Sequence, residues 1–300
     1  MRQRLGIVFL VGMVFLAVGF LLVFLQKHRA NQNLLYSINN LRELSQFAEL
    51  HTSTLTGPLK TDPEAKWKLA QDPKFKPTPL DKLREMGVQP HIPAGTIFNA
   101  ALPPERRLSW VVPLLPTFNQ SRQDTMGIVT QIDQAAAWDT EQNQIASQNP
   151  VFTLVSYANP PPLQPGLPAV TQYVGIGGVG LDAALLPLGD PRAGCFRYDT
   201  PTPFSAITDG LSQSILFGEV SQNLGPWIQG GPSTVRTLDI SADARRPIGP
   251  GGQFGGNHFG GGLFAYADHS VRLLTERTNP TVLATMFTIA GGSGDTLPGE

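Results

Sequence analysis

From Leu5 through Leu25 every residue is apolar or glycine (LGIVFLVGMVFLAVGFLLVFL), an unbroken run of 21 residues. Wound as a helix at about 1.5 Å per residue, such a run crosses the roughly 30 Å hydrocarbon layer of a bilayer. A secretory signal peptide is the competing reading, but its apolar stretch covers only about 7–15 residues and closes on a small-residue cleavage site. Here the run meets Gln26, Lys27, His28 and Arg29. Retention is therefore expected, with the lipid bilayer as the partner of Leu5 to Leu25. Charge orients the span weakly, because Arg2, Arg4 and the amino terminus on one side face Lys27 and Arg29 on the other. Residues 1–4 are too few to form a domain, so function falls to the chain beyond the span.

Past the membrane, Leu34, Ile38, Leu41, Leu44 and Phe47/Ala48 recur at helical spacing as far as Leu50, with no proline or glycine. The spacing predicts that one helix continues from span (5–26) into stem (27–51). All 27 prolines lie at Pro58 or later, and Thr52 to Pro58 (TSTLTGP) reads as a stop signal. The body then occupies 52–300. An isolated amphipathic helix of about 20 residues is only marginally stable in water, so the stem stripe is expected to pack on a sheet of the body.

The 22 Lys+Arg against 23 Asp+Glu leave a net charge of −1, with no cationic excess for a phosphate backbone, which excludes nucleic acid as a partner. The single cysteine, Cys195, excludes an intrachain disulfide and a cysteine-based zinc cluster, and no motif around it would activate its thiol. The fold must hold by core packing.

In the body, Pro58 to Pro104 reads as loop with at most a short helix ending at Gly87, and a helical patch runs near Ile128 to Asn143. Ile92–Phe98, Val151–Tyr157, Gln172–Ile176, Ser214–Glu219, Leu263–Ala267 and Val271–Leu274 carry strand patterns between turn residues. Helices do not alternate with strands, so the class is α+β with an antiparallel sheet and long Gly/Pro-rich loops.

Several constellations invite chemistry. Gly175–Gly180 (GIGGVG) matches the dinucleotide glycine pattern, but Pro187 interrupts the next segment before a crossover helix forms, so a glycine-rich loop without a nucleotide is expected. Asp268-His269-Ser270 has the residue types of a hydrolase triad, yet consecutive strand residues point to opposite faces, and a turn between two strands is the better reading. His258 and His269 bracket a strand and, even with Asp268, do not complete a zinc ligand set. Glu219, ending SILFGE, could pair with Asp209 for acid–base work. The plainer expectation is that Asp209-Gly210 makes a tight turn while Glu219 satisfies nearby backbone or a partner at the strand end. No cofactor and no metal is expected.

Together these blocks resemble the pseudopilin-like, type II secretion G-like family known as domain of unknown function DUF 1559. Asn39-Asn40-Leu41-Arg42-Glu43-Leu44 resembles its stem, Leu108-Ser109-Trp110 with Leu114-Leu115-Pro116 and Gln120 its tryptophan block, and Asp133 through Trp138-Asp139 and Asn143 the next. Ile207 to Ser212, with Asp209, Gly210 and Ser212, leads to Gly218-Glu219 as in its strand motif. His258 with Gly260-Gly261, and Asp268 with Ser270-Val271-Arg272, resemble its later block; Asn279-Pro280, Leu283, Thr288 and Gly291-Gly292 resemble its end. The chain departs from the family's prepilin peptidase pattern: Gly6 precedes Ile7 rather than phenylalanine, and Val11 stands where a glutamate is usual. His269 replaces a usual glycine, and cysteines frequent near the stem asparagines and before the mid-chain strands are absent, with Ser37 in the stem position.

The resemblance implies an N-terminus in the cytoplasm, an exported body, and a pilin-like fold of long helix plus antiparallel sheet. It implies no reaction. The leading expectation is a single-pass membrane-anchored envelope protein, not an enzyme, with a structural or interaction role and other envelope proteins or pilin-like subunits as partners. An extracytoplasmic module binding a glycan, peptide or metal through its loops is the alternative. A cell-surface hydrolase is a third, and requires Asp209, Glu219, His258 and Asp268 to share one cleft.

Overall fold

The structure, a computed structural model, describes residues 2–55, 90–118 and 125–291, without the side chains of residues 2–11, 14 and 50–55. Helix α1, Arg2–Leu55, is a single run of 54 residues, about 80 Å long at 1.5 Å per residue. It is helical already within the expected four-residue tail. It also continues past residue 51, because Thr52, Ser53 and Thr54 each cost a helix only a few tenths of a kcal/mol. The expected short helix ending at Gly87 lies outside the described residues.

The two halves of α1 have opposite surroundings. Every described side chain from Gly12 to Gln32 is exposed, whereas Ser37, Leu41, Leu44, Ser45, Phe47 and Ala48 form a buried stripe against the body. Among the described residues no helix is long and apolar enough to cross a membrane.

The body is organised on a five-stranded sheet of β2 (Tyr173–Val179), β4 (Ile215–Glu219), β5 (Val235–Leu238), β6 (Gly261–Tyr266) and β7 (Val271–Thr275), in the order β5-β2-β4-β6-β7. β1 (His91–Ile92) and β3 (Thr202–Pro203) pair separately. The β2–β4, β4–β6 and β6–β7 pairs are antiparallel, but β2 and β5 are parallel, so the sheet is mixed rather than wholly antiparallel. The cause is local. Residues 220–234 stay at the end where β4 finishes, so β5 runs opposite to β4, and its place beyond β2 makes it parallel to that strand.

Both faces of the sheet are covered. On one side the α1 stripe and α2 (Val111–Phe118) bury Trp110, Phe118, Phe196, Phe217 and Leu263. On the other, Ile248, Phe254 and α5 (Pro280–Met286) cover Ile176, Phe264 and Tyr266. Full burial of a Leu or Phe side chain is worth about 1.5–3 kcal/mol, so the stem stripe is a principal element of the core.

Four expected elements differ. Ile92–Phe98 is strand only at its first residue, where β1 (His91–Ile92) ends, and Thr96 makes just an isolated bridge to Ser109. Gly175 to Val179 is not a loop but most of the interior strand β2. Its glycines admit the crossing segment 192–197: the Phe196 ring lies where a Cβ of Gly175 would be, and Gly178, at φ +114°, would strike the Arg192 carbonyl. Val151–Tyr157 is no strand, and only Phe152–Leu154 forms a 3-10 turn. Its backbone is claimed by side chains instead, with Asn40 Nδ2 donating to Val155 O at 3.0 Å and Ser156 N to Gln172 Oε1 at 2.8 Å. The patch at 128–143 splits into α3 (Met126–Val129) and α4 (Glu141–Ser147), because the buried Asn143 amide bonds Asp133 N, Asp133 O and Ala137 O and wraps the intervening turns around itself.

Ser37 and Ser156 are both fully buried, with their hydroxyl oxygens 3.2 Å apart across the stem–body contact. A disulfide needs Cβ atoms about 3.5–4.5 Å apart, which this contact permits. A Ser37→Cys/Ser156→Cys chain should therefore close on oxidation, leaving one titratable thiol, Cys195, after unfolding. Three free thiols would mean that the stem does not dock in this register.

Candidate functional site

A group of buried polar side chains lies where α1 enters the body. Glu219 closes β4 and stands opposite Tyr173, the first residue of β2. Both are fully buried. The β4–β6 ladder runs out at Gly218–Phe264, and the Glu219 carboxylate continues it, Oε2 accepting from Leu263 N at 3.3 Å. The other oxygen, Oε1, is 3.4 Å from His258 Nε2, with the imidazole 8% exposed. That is ion-pair distance without hydrogen-bond geometry. Glu219 Oε1 and His258 Nε2 accordingly have no hydrogen-bond partner among the described residues, while the Tyr173 hydroxyl lies beside Ser37, Asn40 and Ser156. Burial, and then the negative charge of Glu219, push the Tyr173 phenol well above its ordinary range.

This cluster is tied to α1 and to the loops beside it. Asn40 and Ser37 on the helix hold residues 152–156, Gln172 Nε2 donates to Asn159 O at 2.8 Å and to Asn257 Oδ1 at 3.3 Å, and Asn257 Nδ2 donates to Val220 O at 3.0 Å. One polar seam thus joins the stem, β2, β4 and the loop carrying His258.

At the other end of the sheet the β6–β7 turn contains Asp268-His269-Ser270. The Asp268 carboxylate accepts from Ser270 N and Oγ, as expected of a turn, and Arg272 stacks on the Tyr266 ring at 4.2 Å. His269 occupies the left-handed region at φ +66°, a conformation that a glycine adopts without strain. Its Nε2 meets Glu49 Oε2 of α1 at 2.7 Å. His269 thus closes the far end of the stem–body contact.

The strand register separates the hydrolase candidates. Ile215 faces Tyr266 across β4–β6, so Asp209 and Asp268 lie at that end, while Glu219 and His258 lie at the other. A strand of five residues puts about 13 Å between them, so the four do not share a cleft. His258 and His269 are likewise at opposite ends of β6, and no three His, Cys, Asp or Glu side chains gather for a metal among the described residues.

The remaining motif residues serve packing. Trp110 Nε1 donates to Thr234 O at 2.8 Å, and Trp138 Nε1 to Glu105 O at 3.0 Å. Gly210, at φ +101°, completes the Asp209 turn, with Ser212 just beyond it, and Asp209 N bonds Ile289 O. Gly260 (φ +77°) shapes the loop into β6, Gly261 opens that strand, and Gly291 packs against Pro191 O; Gly292 lies outside the described residues. Sequence reasoning missed Tyr173, Gln172, Ser156 and Asn257. Their polar character within apolar surroundings was the available signal. Beside the seam, residues 148–170 enclose an open apolar groove of about 670 Å³.

Residues 89–236 match the profile of a family described as "Protein of unknown function (DUF1559)". No curated protein and no protein of solved structure matches the chain.

The geometry sets two outcomes. Glu219→Ala strands His258 and Leu263 N–H and should cost about 3–5 kcal/mol in denaturant unfolding, whereas Glu219→Gln keeps an acceptor and should cost about 1–2 kcal/mol. Equal losses would show that the carboxylate is not a pairing group. Burial pushes the Cys195 thiol from 9.0 up to about 12, and the Tyr198 phenol likewise up to about 12. Both ionise more readily unfolded, so their contribution is intact below pH about 9 and lost as pH rises toward about 12. Thiol reagents at pH 8 should leave native Cys195 untouched, and rapid modification would disprove its burial.

Proposed function

Residues 89–236 place this chain in the DUF1559 family, and from that premise we propose that it is a single-pass, membrane-anchored, pseudopilin-like envelope protein. Its body plays a structural or interaction role outside the cytoplasm. The observation that carries this reading is the contrast within α1. Phe15, Phe20 and Phe24 are 73%, 78% and 66% exposed on a stretch that meets no other part of the body, while the same helix, without a break, supplies the core of the body from Leu41 onward. Contiguous apolar surface beyond a few hundred Å² is seldom left in water. A bilayer around Leu5 to Leu25 covers it.

The absence of an intramembrane carboxylate fits an anchor better than a filament subunit, since Val11 occupies the position where the resemblance would put glutamate. The seam at Glu219 and His258 fits a fastening role better than a catalytic one. Its carboxylate and phenol have no exposed surface, and Asp209 and Asp268 stand at the far end of the sheet. Bonded to α1 at both ends, through Asn40 and Glu49, the body turns with the anchor.

Alkaline carbonate extraction and protease shaving of intact cells test the reading. The chain should stay with membranes after carbonate, and protease added outside should degrade the body while sparing a fragment containing the apolar run. A freely soluble chain trimmed near residue 26, or a body protected inside intact cells, would overturn it.

A further inference from the structure

The end of the body nearest the proposed anchor has the chemistry of a lipid-facing surface. α1 leaves the body at Asn33, its first described residue that is half-buried rather than exposed, beside Leu34, which packs on the core. That is eight residues, about 12 Å, beyond Leu25. The headgroup layer takes about 5–8 Å of that distance, so the gap left is about the length of one large side chain.

Two loops ring this exit. Residues 157–168 begin where the Tyr157 ring packs on Tyr36 of α1, 5.0 Å between centroids. Residues 255–260 begin at Gly255, whose N–H donates to Glu219 O, and join the first loop through Asn257 and Gln172. Both loops present large apolar side chains to the outside: Leu163 and Leu167 are more than half exposed, and Phe259 is fully exposed. Leu35 and Tyr36 continue the surface onto the helix.

The charge pattern says which surface these loops suit. From Gln142 to Leu181, and again from Pro247 to Ala267, the chain has no Asp, Glu, Lys or Arg. Lys27 and Arg29 lie on α1 between Leu25 and the exit, at headgroup level; on the body, Arg246 is paired with Glu276 at the β7 edge beside Arg277, and Arg236 donates to the carbonyls of Gln222 and Asn223. Five prolines between residues 160 and 168 remove backbone N–H groups that would otherwise need partners on leaving water. Tyrosine favours the membrane–water interface because its ring is apolar and its hydroxyl polar, which suits Tyr36 and Tyr157 at this exit.

We propose that this end of the body, formed by the 157–168 and 255–260 loops around the α1 exit, rests in the headgroup layer of the bilayer that holds α1, by apolar and aromatic contact with uncharged lipid. It rests on the anchoring reading above. The body then lies flush on the membrane instead of standing off on a free stalk.

The test uses the full chain reconstituted in phosphatidylcholine vesicles. Single introduced cysteines, Leu163→Cys, Phe259→Cys, Phe20→Cys and, at the far end, Ser241→Cys, are labelled with an environment-sensitive fluorophore while buried Cys195 stays unlabelled. With headgroup-level spin-labelled lipid, quenching at 163 and 259 should exceed that at 241 at least threefold, and should persist in 1 M salt because no charge pair is involved. Quenching at 20 but not at 163 or 259 would overturn the inference and leave the anchor standing. Quenching at none of the three would overturn both. Quenching at 163 and 259 that collapses in salt would replace apolar contact with charge attraction and so overturn the inference.

Discussion

The packing of residues 37–48 of α1 on the β4–β6 face of the sheet is the contact that holds the molecule's other parts in place. Leu41, Leu44 and Ala48 are fully buried there, and without them one face of the sheet would be open to water. The contact is apolar along its middle and polar at its ends. Asn40 and Ser37 fix it beside Glu219 and His258, and Glu49 fixes it to His269. Apolar burial supplies most of the free energy but is indifferent to small slides along a helix, whereas hydrogen bonds and ion pairs specify one register.

A buried carboxylate is a costly means of fixing register, since its desolvation offsets much of the Coulombic attraction to its partner. Glu219 is retained in a position where it also completes the β4–β6 ladder and faces a buried phenol. Removing one member strands the others. The seam is therefore a unit that joins the helix, two strands and a glycine-rich loop, and its value lies in geometry more than in net stability. His269 illustrates the same trade: the turn bears the strain of a left-handed histidine and gains a 2.7 Å bond to the stem.

Much of this was legible in the residues. The helical spacing of Leu34 to Ala48 announced the docking stripe, Asp209-Gly210 and Asp268 announced turns, and Glu219 was read as satisfying backbone at its strand end, which its bond to Leu263 N bears out. The failures have one cause. Gly175 to Val179 read as loop because glycine lacks local preference for a strand, and only the crossing of residues 192–197 explains its use there. Residues 151–157 had strand composition, but the groups that claim their backbone, Asn40 and Gln172, are remote in sequence or belong to another element.

The order of the amino acids alone settles the division between one long helix and a proline-rich body, the apolar run, and the face by which the stem docks. These arise from periodicity and chain stiffness, which are local. Folding in three dimensions brought Glu219, His258 and Tyr173 together, put Asp209 and Asp268 out of their reach, and made β5 parallel to β2. Strand order and register rest on which distant segments find each other, and that pairing energy is spread over residues that the chain's local pattern does not connect.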